Sequence, residues 1–360
     1  MIETRAKSER EPEPGKTAEL SSNESPAGPP PSAVDRLLAL QNSLHRYPRG
    51  ASALLREEIA AHWRVRPESL VLTNGVDEAI DLLTSLTDRV WCTVPGFDAF
   101  WTRPEIHGLP TTRLPLREDG QPTVGPERVG PHGVAFVARP NNPTGTVVAS
   151  EWLDALPSRV DLVCVDETYV DFSEEPGYVP RLGEWENLCV FRSLSKALGL
   201  AGLRLGVLAA PPLLAARLRE RQRFYSADAV SLHVAAAAIT DDTYLAGHRA
   251  QVVRGRERLV EILGASGLFV EVRRTQTNFV IARCQDPAEA VRVEEWLSAR
   301  GVHVHECSLL GYPGRLRVSV GTDEEIALLS GLLAELARKG APDPRPGVNP
   351  GVRGEGPPGR

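Results

Sequence analysis

The stretch VFRSLSKALGLAGLRLG, residues 190–206, places a single lysine among small and apolar residues. Ser193 and Ser195 precede Lys196, and Arg204 follows eight residues on. Burying an ammonium in such a turn without partners is costly, so its presence asks for a chemical reason. A lysine that is partly desolvated and near another cation has a lowered pKa and can form a Schiff base with an aldehyde. Two hydroxyls and a guanidinium beside it form a clamp suited to a phosphate.

Outward from this turn, short apolar runs alternate with helical patterns. SLVLT (69–73), RVWCTV (89–94), GVAFVA (133–138), VDLVCVD (160–166), NLCVFRS (187–193) and LRLGVLAA (203–210) read as strands buried on both faces. Such strands mark a mostly parallel sheet wrapped by helices. After about residue 245 the pattern changes to a long Arg-rich helix, then LFVEVRRT, TNFVIARC, a helix, LRVSVG and a last helix. The fold class expected is therefore α/β, a large domain with a mostly parallel central sheet followed by a smaller α+β domain. The chain divides into an N-terminal segment over 19–45 packing with the small domain, a large domain over 46–244 and a small one over 245–339. The charged or Gly/Pro-rich ends, 1–18 and 340–360, read as disordered tails.

Three more signals fall at predicted strand ends, where open α/β sheets hold ligands. VLTNGVDEAIDLL ends a strand at Asn74 and starts a helix at once. The N–H groups of Gly75, Val76 and Asp77 would then meet an anion, although an ordinary strand–helix junction reads the same way. ARPNNPTGTVV fixes a tight polar loop in which Asn142 can donate to a ligand oxygen. VDLVCVDETYVDF sets Asp166 at the end of an apolar strand, where a carboxylate needs a cationic or donor partner; Tyr169 follows closely. A nucleotide-hydrolase reading fails, because the only GKT (15–17) has Arg10 where a phosphate loop has its first glycine, and no GxGxxG follows a strand. An aldehyde, a phosphate, a ring nitrogen needing a carboxylate and a ring oxygen needing a donor describe one cofactor, pyridoxal 5′-phosphate.

Composition agrees. The 360 residues are 42% hydrophobic and 24% charged with net charge −6, and no basic stripe invites nucleic acid. No apolar run reaches the ~20 residues that span a bilayer, and the N-terminus lacks a signal-peptide core. Five scattered cysteines read as small buried hydrophobes in a reducing cytoplasm, with no metal site among them.

LSSNESP, RYPRG, NGVDEAI, PGFDAF, PNNPTG, DETY, SLSKALGLAGLRLG, TNFVIAR and LRVSVG, in this order over residues 20–336, resemble the fold-type-I aminotransferases of class I/II, in their histidinol-phosphate aminotransferase branch. The resemblance implies that Lys196 carries the cofactor and shuttles the proton, with Asp166 on the pyridinium nitrogen and Asn142 and Tyr169 on the ring oxygen. It implies that Phe97 stacks on the ring, and that Ser193, Ser195, Arg204 and the backbone at Gly75, Val76 and Asp77 bind phosphate. Tyr47 resembles a tyrosine that reaches the neighbouring subunit's phosphate, which implies a homodimer. Asn23 and Arg317 match substrate-side residues, with Arg317 facing an acidic group. The sequence departs from the branch at His305, where a second arginine is usual, and the segment before Asn23 is too short and polar to supply a substrate tyrosine. An imidazole is the weaker phosphate anchor. The expectation is a transaminase for an amino acid and keto acid pair other than histidinol phosphate; the alternative is a decarboxylase, lyase or oxidase built on the same cofactor motifs, similar to the threonine-phosphate decarboxylases.

Overall fold

The computed structural model of the chain describes residues 17–339. The tail expected over 340–360 lies outside that range, as does the other tail up to residue 16. Ala18 is ordered: it opens strand β1 (Ala18–Glu19) and pairs with Val302.

The remaining strands of the first half are β2 (Leu70–Thr73), β3 (Val90–Val94), β4 (Thr111–Pro115), β5 (Val134–Ala138), β6 (Leu162–Asp166), β7 (Leu188–Ser193) and β8 (Gly206–Ala209). They form one sheet in the order β2-β8-β7-β6-β5-β3-β4. Alternation sends side chains to both faces: Val163 and Val165 enter one core, Leu162 and Cys164 the other. Helices Ala51–Trp63 and Ala229–Ala238 cover the first face with Leu55, Ile59 and Leu232. Helices Gly75–Thr84, Ala99–Ile106 and Pro212–Arg219 cover the second with Ile80, Leu83, Phe100 and Leu218. The runs read as doubly buried strands from the sequence are these strands. Edge strand β4 had no such signature, because its TTRLP is polar and largely exposed, and an edge tolerates proline.

β8 is antiparallel to both neighbours, the exception in the otherwise parallel sheet. A parallel return from β7 needs a crossover, generally a helix. The connection 194–205 holds only the short 3-10 turn Ala201–Leu203, so β8 returns directly. Lys196 and Arg204 consequently ride one loop at the C-terminal end of β7. Thr73 and Ser193 both pair with Gly206, which brings the end of β2 to the same place.

The second half adds β9 (Glu271–Arg273), β10 (Phe279–Arg283), β11 (Val302–His303), β12 (His305–Glu306) and β13 (Arg315–Ser319). β12, β13, β10 and β9 form an antiparallel sheet in that order. Helices Asp242–Ala265, Pro287–Ser298 and Asp323–Lys339 bury Leu259, Leu263, Val293, Leu297, Leu329 and Leu333 in a third core of this smaller domain. All five cysteines are buried and free, and burial pushes Cys92, Cys189, Cys284 and Cys307 up to about 12. None of the described helices is long and apolar enough to cross a membrane.

The domains meet closely at the PNNPTG loop. Gly145 has φ of 67°, and a Cβ there would lie 2.2 Å from Thr275 Cγ2. Gln276 N–H donates to the Gly145 carbonyl at 2.9 Å. Gly145→Ala adds left-handed strain to overpacking, and is expected to cost roughly 2–4 kcal/mol of stability in a denaturant titration. A loss below about 0.5 kcal/mol, the usual range for a surface change, would contradict this contact.

Candidate active site

Lys196 is half-buried in the turn after β7, and its Nζ donates to the Ser22 carbonyl at 2.8 Å. Burial first, then the nearby guanidinium of Arg317 and, against Glu24, that of Arg204 together lower its pKa to about 8. A substantial neutral fraction near pH 8 makes it a nucleophile and a base.

Asp166 ends β6 beside it in the sheet and is 6% exposed. One carboxylate oxygen, Oδ1, accepts from Thr168 N (2.9 Å) and Thr168 Oγ1 (2.6 Å). Burial raises its pKa to about 6 in spite of those bonds, and no cation pairs with it among the described residues. A buried carboxylate left this way is stabilised by a cationic N–H arriving from outside the chain.

Donors that suit an anion gather at the junction of β2, β7 and β8. Helix Gly75–Thr84 starts directly after β2, and its first N–H groups, at Gly75, Val76 and Asp77, lie free of the helical ladder. Gly75 has φ of 71°, and a Cβ on it would lie 3.0 Å from an Arg204 guanidinium nitrogen. Its left-handed backbone is what favours a glycine here, and the absent side chain leaves room for the Arg204 guanidinium. Arg204 itself is left-handed (φ 52°) and carries no carboxylate partner among the described residues. Ser193 Oγ accepts from Ser195 N at 3.2 Å, which folds both serines into the start of the same loop.

The small domain and the N-terminal segment close the other side. Arg317, on β13, is 6% exposed; it donates to Asn142 Oδ1 (2.6 Å) and the Ser21 carbonyl (2.5 Å). Among the described residues its Nε has no partner and no carboxylate pairs with the guanidinium. Asn142 thus has its oxygen occupied and its Nδ2 left to donate. Tyr169 is buried, and its hydroxyl accepts from Asn23 Nδ2 at 2.8 Å. Asn23, left-handed at φ 54°, is engaged at both ends: Oδ1 accepts from Ser319 Oγ at 2.9 Å, and its carbonyl from Asn278 Nδ2 at 3.0 Å. One of the two amide hydrogens of Asn23 thereby orients the Tyr169 hydroxyl.

The Phe97 loop is stitched to the PNNPTG loop by Asn141 Nδ2, which donates to the Pro95 carbonyl at 3.0 Å. Phe97 stays half-buried, edge-on to Phe100 at 5.6 Å. His305 sits on β12 directly opposite Arg317, on the same sheet face. Tyr47 is not brought to this cluster: it is 70% exposed and stacks on Tyr225 at 5.0 Å. The sequence reading missed Thr168, Ser319, Asn278 and the Ser21 and Ser22 carbonyls. Thr168 lay inside the DETY motif as an i+2 partner for the aspartate; the others carry no local signal.

This donor set fits a phosphorylated pyridine aldehyde. It offers one amine of lowered pKa, one carboxylate lacking a cation among the described residues, an amide donor, and a guanidinium close to a helix N-terminus that suits an anion.

The family model for aminotransferase class I and II matches residues 16–330. A histidinol-phosphate aminotransferase of Symbiobacterium thermophilum is 33% identical over 317 residues, 85% of this chain and 86% of that one. The solved histidinol-phosphate aminotransferase of Sinorhizobium meliloti, in complex with pyridoxal-5′-phosphate, matches with TM-score 0.81 at 25% identity, over 90% of this chain and 92% of that one. The L-threonine-O-3-phosphate decarboxylase of Porphyromonas gingivalis, at 19% identity and TM-score 0.77 over 89% of this chain and 99% of that one, shares the fold. With that family match over most of its length and relatives of this identity, the chain belongs to the class I and II aminotransferases.

Proposed function

We propose that the chain is a pyridoxal 5′-phosphate-dependent transaminase for a carboxylate-bearing amino acid and its keto acid partner, and that histidinol phosphate is not its substrate. The observation that carries this reading is Arg317, a buried guanidinium whose Nε has no partner and which has no carboxylate of its own among the described residues. A buried cation in that state is matched by an anionic group supplied by the substrate. The residue facing it across the strand pair is His305, where a second guanidinium would serve a dianionic phosphate better. The N-terminal segment at Ser21 and Ser22 offers carbonyls there and no aromatic ring.

When bound, the cofactor supplies an aldehyde that condenses with amines and an electron-poor ring that accepts the Cα electron pair. Asp166 would keep its ring nitrogen protonated. Asn142 and Tyr169 would hold its ring oxygen and Phe97 its face, while Ser193, Ser195, Arg204 and the N–H groups of Gly75, Val76 and Asp77 would take its phosphate. Lys196 would anchor it and then, as a free amine, remove the substrate Cα proton and return it as general acid and base. Arg317 would fix the carboxylate and with it the torsion about Cα, which decides which bond breaks. The exposed Tyr47, Phe224 and Tyr225 (70, 88 and 42%) support a homodimer in which Tyr47 reaches the neighbouring phosphate site. Free buried thiols suit a cytoplasmic location.

The test is a panel of amino donors, histidinol phosphate included, offered to the loaded enzyme. Keto acid with pyridoxamine phosphate is the expected product for an amino acid donor. Carbon dioxide with the aldehyde retained would show a decarboxylase instead, and preferential turnover of histidinol phosphate would overturn the substrate reading. For Arg317→Gln, KM for the best amino acid should rise roughly tenfold to hundredfold, the worth of charged hydrogen bonds to a carboxylate; an unchanged KM would remove Arg317 from this role.

Asp166 adds a pH dependence. Its pKa is raised to about 6, so it is ionised above that pH and loses its charge as pH falls through it. The advantage of wild type over Asp166→Asn in retaining cofactor should be at least about tenfold at pH 7.5 and should shrink below pH 6. Equilibrium dialysis measures this, and a ratio independent of pH would contradict the pairing.

A further inference from the structure

His248 lies in the helix Asp242–Ala265 of the small domain and is 3% exposed, yet no part of the chemistry above uses it. Its Nδ1 is 2.8 Å from the carbonyl of Ala197, the residue after the reactive lysine. Its Nε2 is 3.0 Å from Ser25 Oγ, in the segment whose Ser22 carbonyl receives Lys196 Nζ. A carbonyl can only accept, so Nδ1 carries the hydrogen. Burial holds the imidazole below its usual pKa and therefore neutral at pH 7. Nε2 is then the acceptor, and the Ser25 hydroxyl donates to it.

The surroundings hold the ring in place. Phe172 meets it edge-on at 5.7 Å, and Tyr244, one turn earlier on the helix, lies against it at 5.6 Å and donates to the Gly28 carbonyl. A Cβ on Gly199 would lie 2.2 Å from that same Gly28 carbonyl, so the N-terminal segment rests directly on the lysine loop. A cavity of about 510 Å³ borders Ala197 and His248 on the side of Asp171, Arg192 and Arg249. The imidazole is what backs the Ala197 carbonyl there.

We propose that His248 is a positioning residue for Lys196: as the Nδ1–H tautomer it fixes the Ala197 carbonyl, and through Ser25 it ties the lysine turn to the N-terminal segment that covers it. Helix, turn and segment come from three separate parts of the chain, and one neutral ring joins all three. The inference rests on Lys196 being the reactive amine.

Two replacements separate its two bonds. The amide nitrogen of Asn reaches where Nδ1 was, and the amide of Gln reaches where Nε2 was. His248→Gln therefore loses the Ala197 bond and should lower kcat about tenfold with KM within about twofold, whereas His248→Asn should stay within about threefold of wild type. Lys196→Ala, run in parallel, separates the two claims. If it stays active, the reading of the site fails; if it is inactive while His248→Gln keeps wild-type kcat, or His248→Asn falls as far as His248→Gln, the positioning role alone is overturned. Nitrogen-15 NMR of the full-length loaded protein reads the tautomer without any substitution. The Nδ1–H form is expected, and an Nε2–H ring would overturn the proposal even if the variants fold poorly.

Discussion

Lys196, Asp166 and Arg317 lie in one partly or wholly buried site, and none of them is paired with another. Lys196 donates to a carbonyl, Asp166 accepts from a threonine, and Arg317 donates to an amide and a carbonyl. Had the ammonium met the carboxylate, the pair would have been more stable and chemically silent. Held apart, each group keeps an unmet electrostatic demand. Burial lowers the lysine to about 8 and raises the aspartate to about 6, which moves both toward the range in which protons are exchanged at ordinary pH. The rest of the structure serves to keep these three groups near one another and separate.

The sheet provides that separation. Asp166 and Lys196 follow adjacent parallel strands, so each projects from its own strand end. The direct return of β8 puts Arg204 on the lysine loop, while β2 brings a helix N-terminus to it. Arg317 comes from the other domain and is held by Asn142 and Ser21. The site is therefore assembled across the domain junction, where Gly145 lets backbone and Thr275 approach closely.

Much of this was legible in the chain. Strands buried on both faces announce themselves as apolar runs, and the groups that meet a cofactor fall in short motifs because each sits at one strand end. Residues that act at a distance in sequence left no such trace. Ser319 and Asn278 hold Asn23 from roughly 255 to 296 positions away, and His248 reads as an unremarkable helix residue until Ala197 is seen against it. The bond from Asn23 to Tyr169, 146 positions apart, is another contact that no local motif announces. Strand β4 was missed because an exposed edge need not be apolar. Arg204 was legible as a phosphate ligand, but its left-handed backbone and its approach to Gly75 belong to tertiary structure alone.

Lys196 is the single lysine between Lys16 and Lys339, which makes the central claim open to a direct reading. Borohydride reduction of the loaded protein, followed by proteolysis and mass spectrometry, locates the covalently fixed pyridoxyl group. The account predicts that the group is found, in stoichiometric amount, on the peptide containing residue 196. A pyridoxyl group on another lysine, or a reduced protein without one, would contradict it.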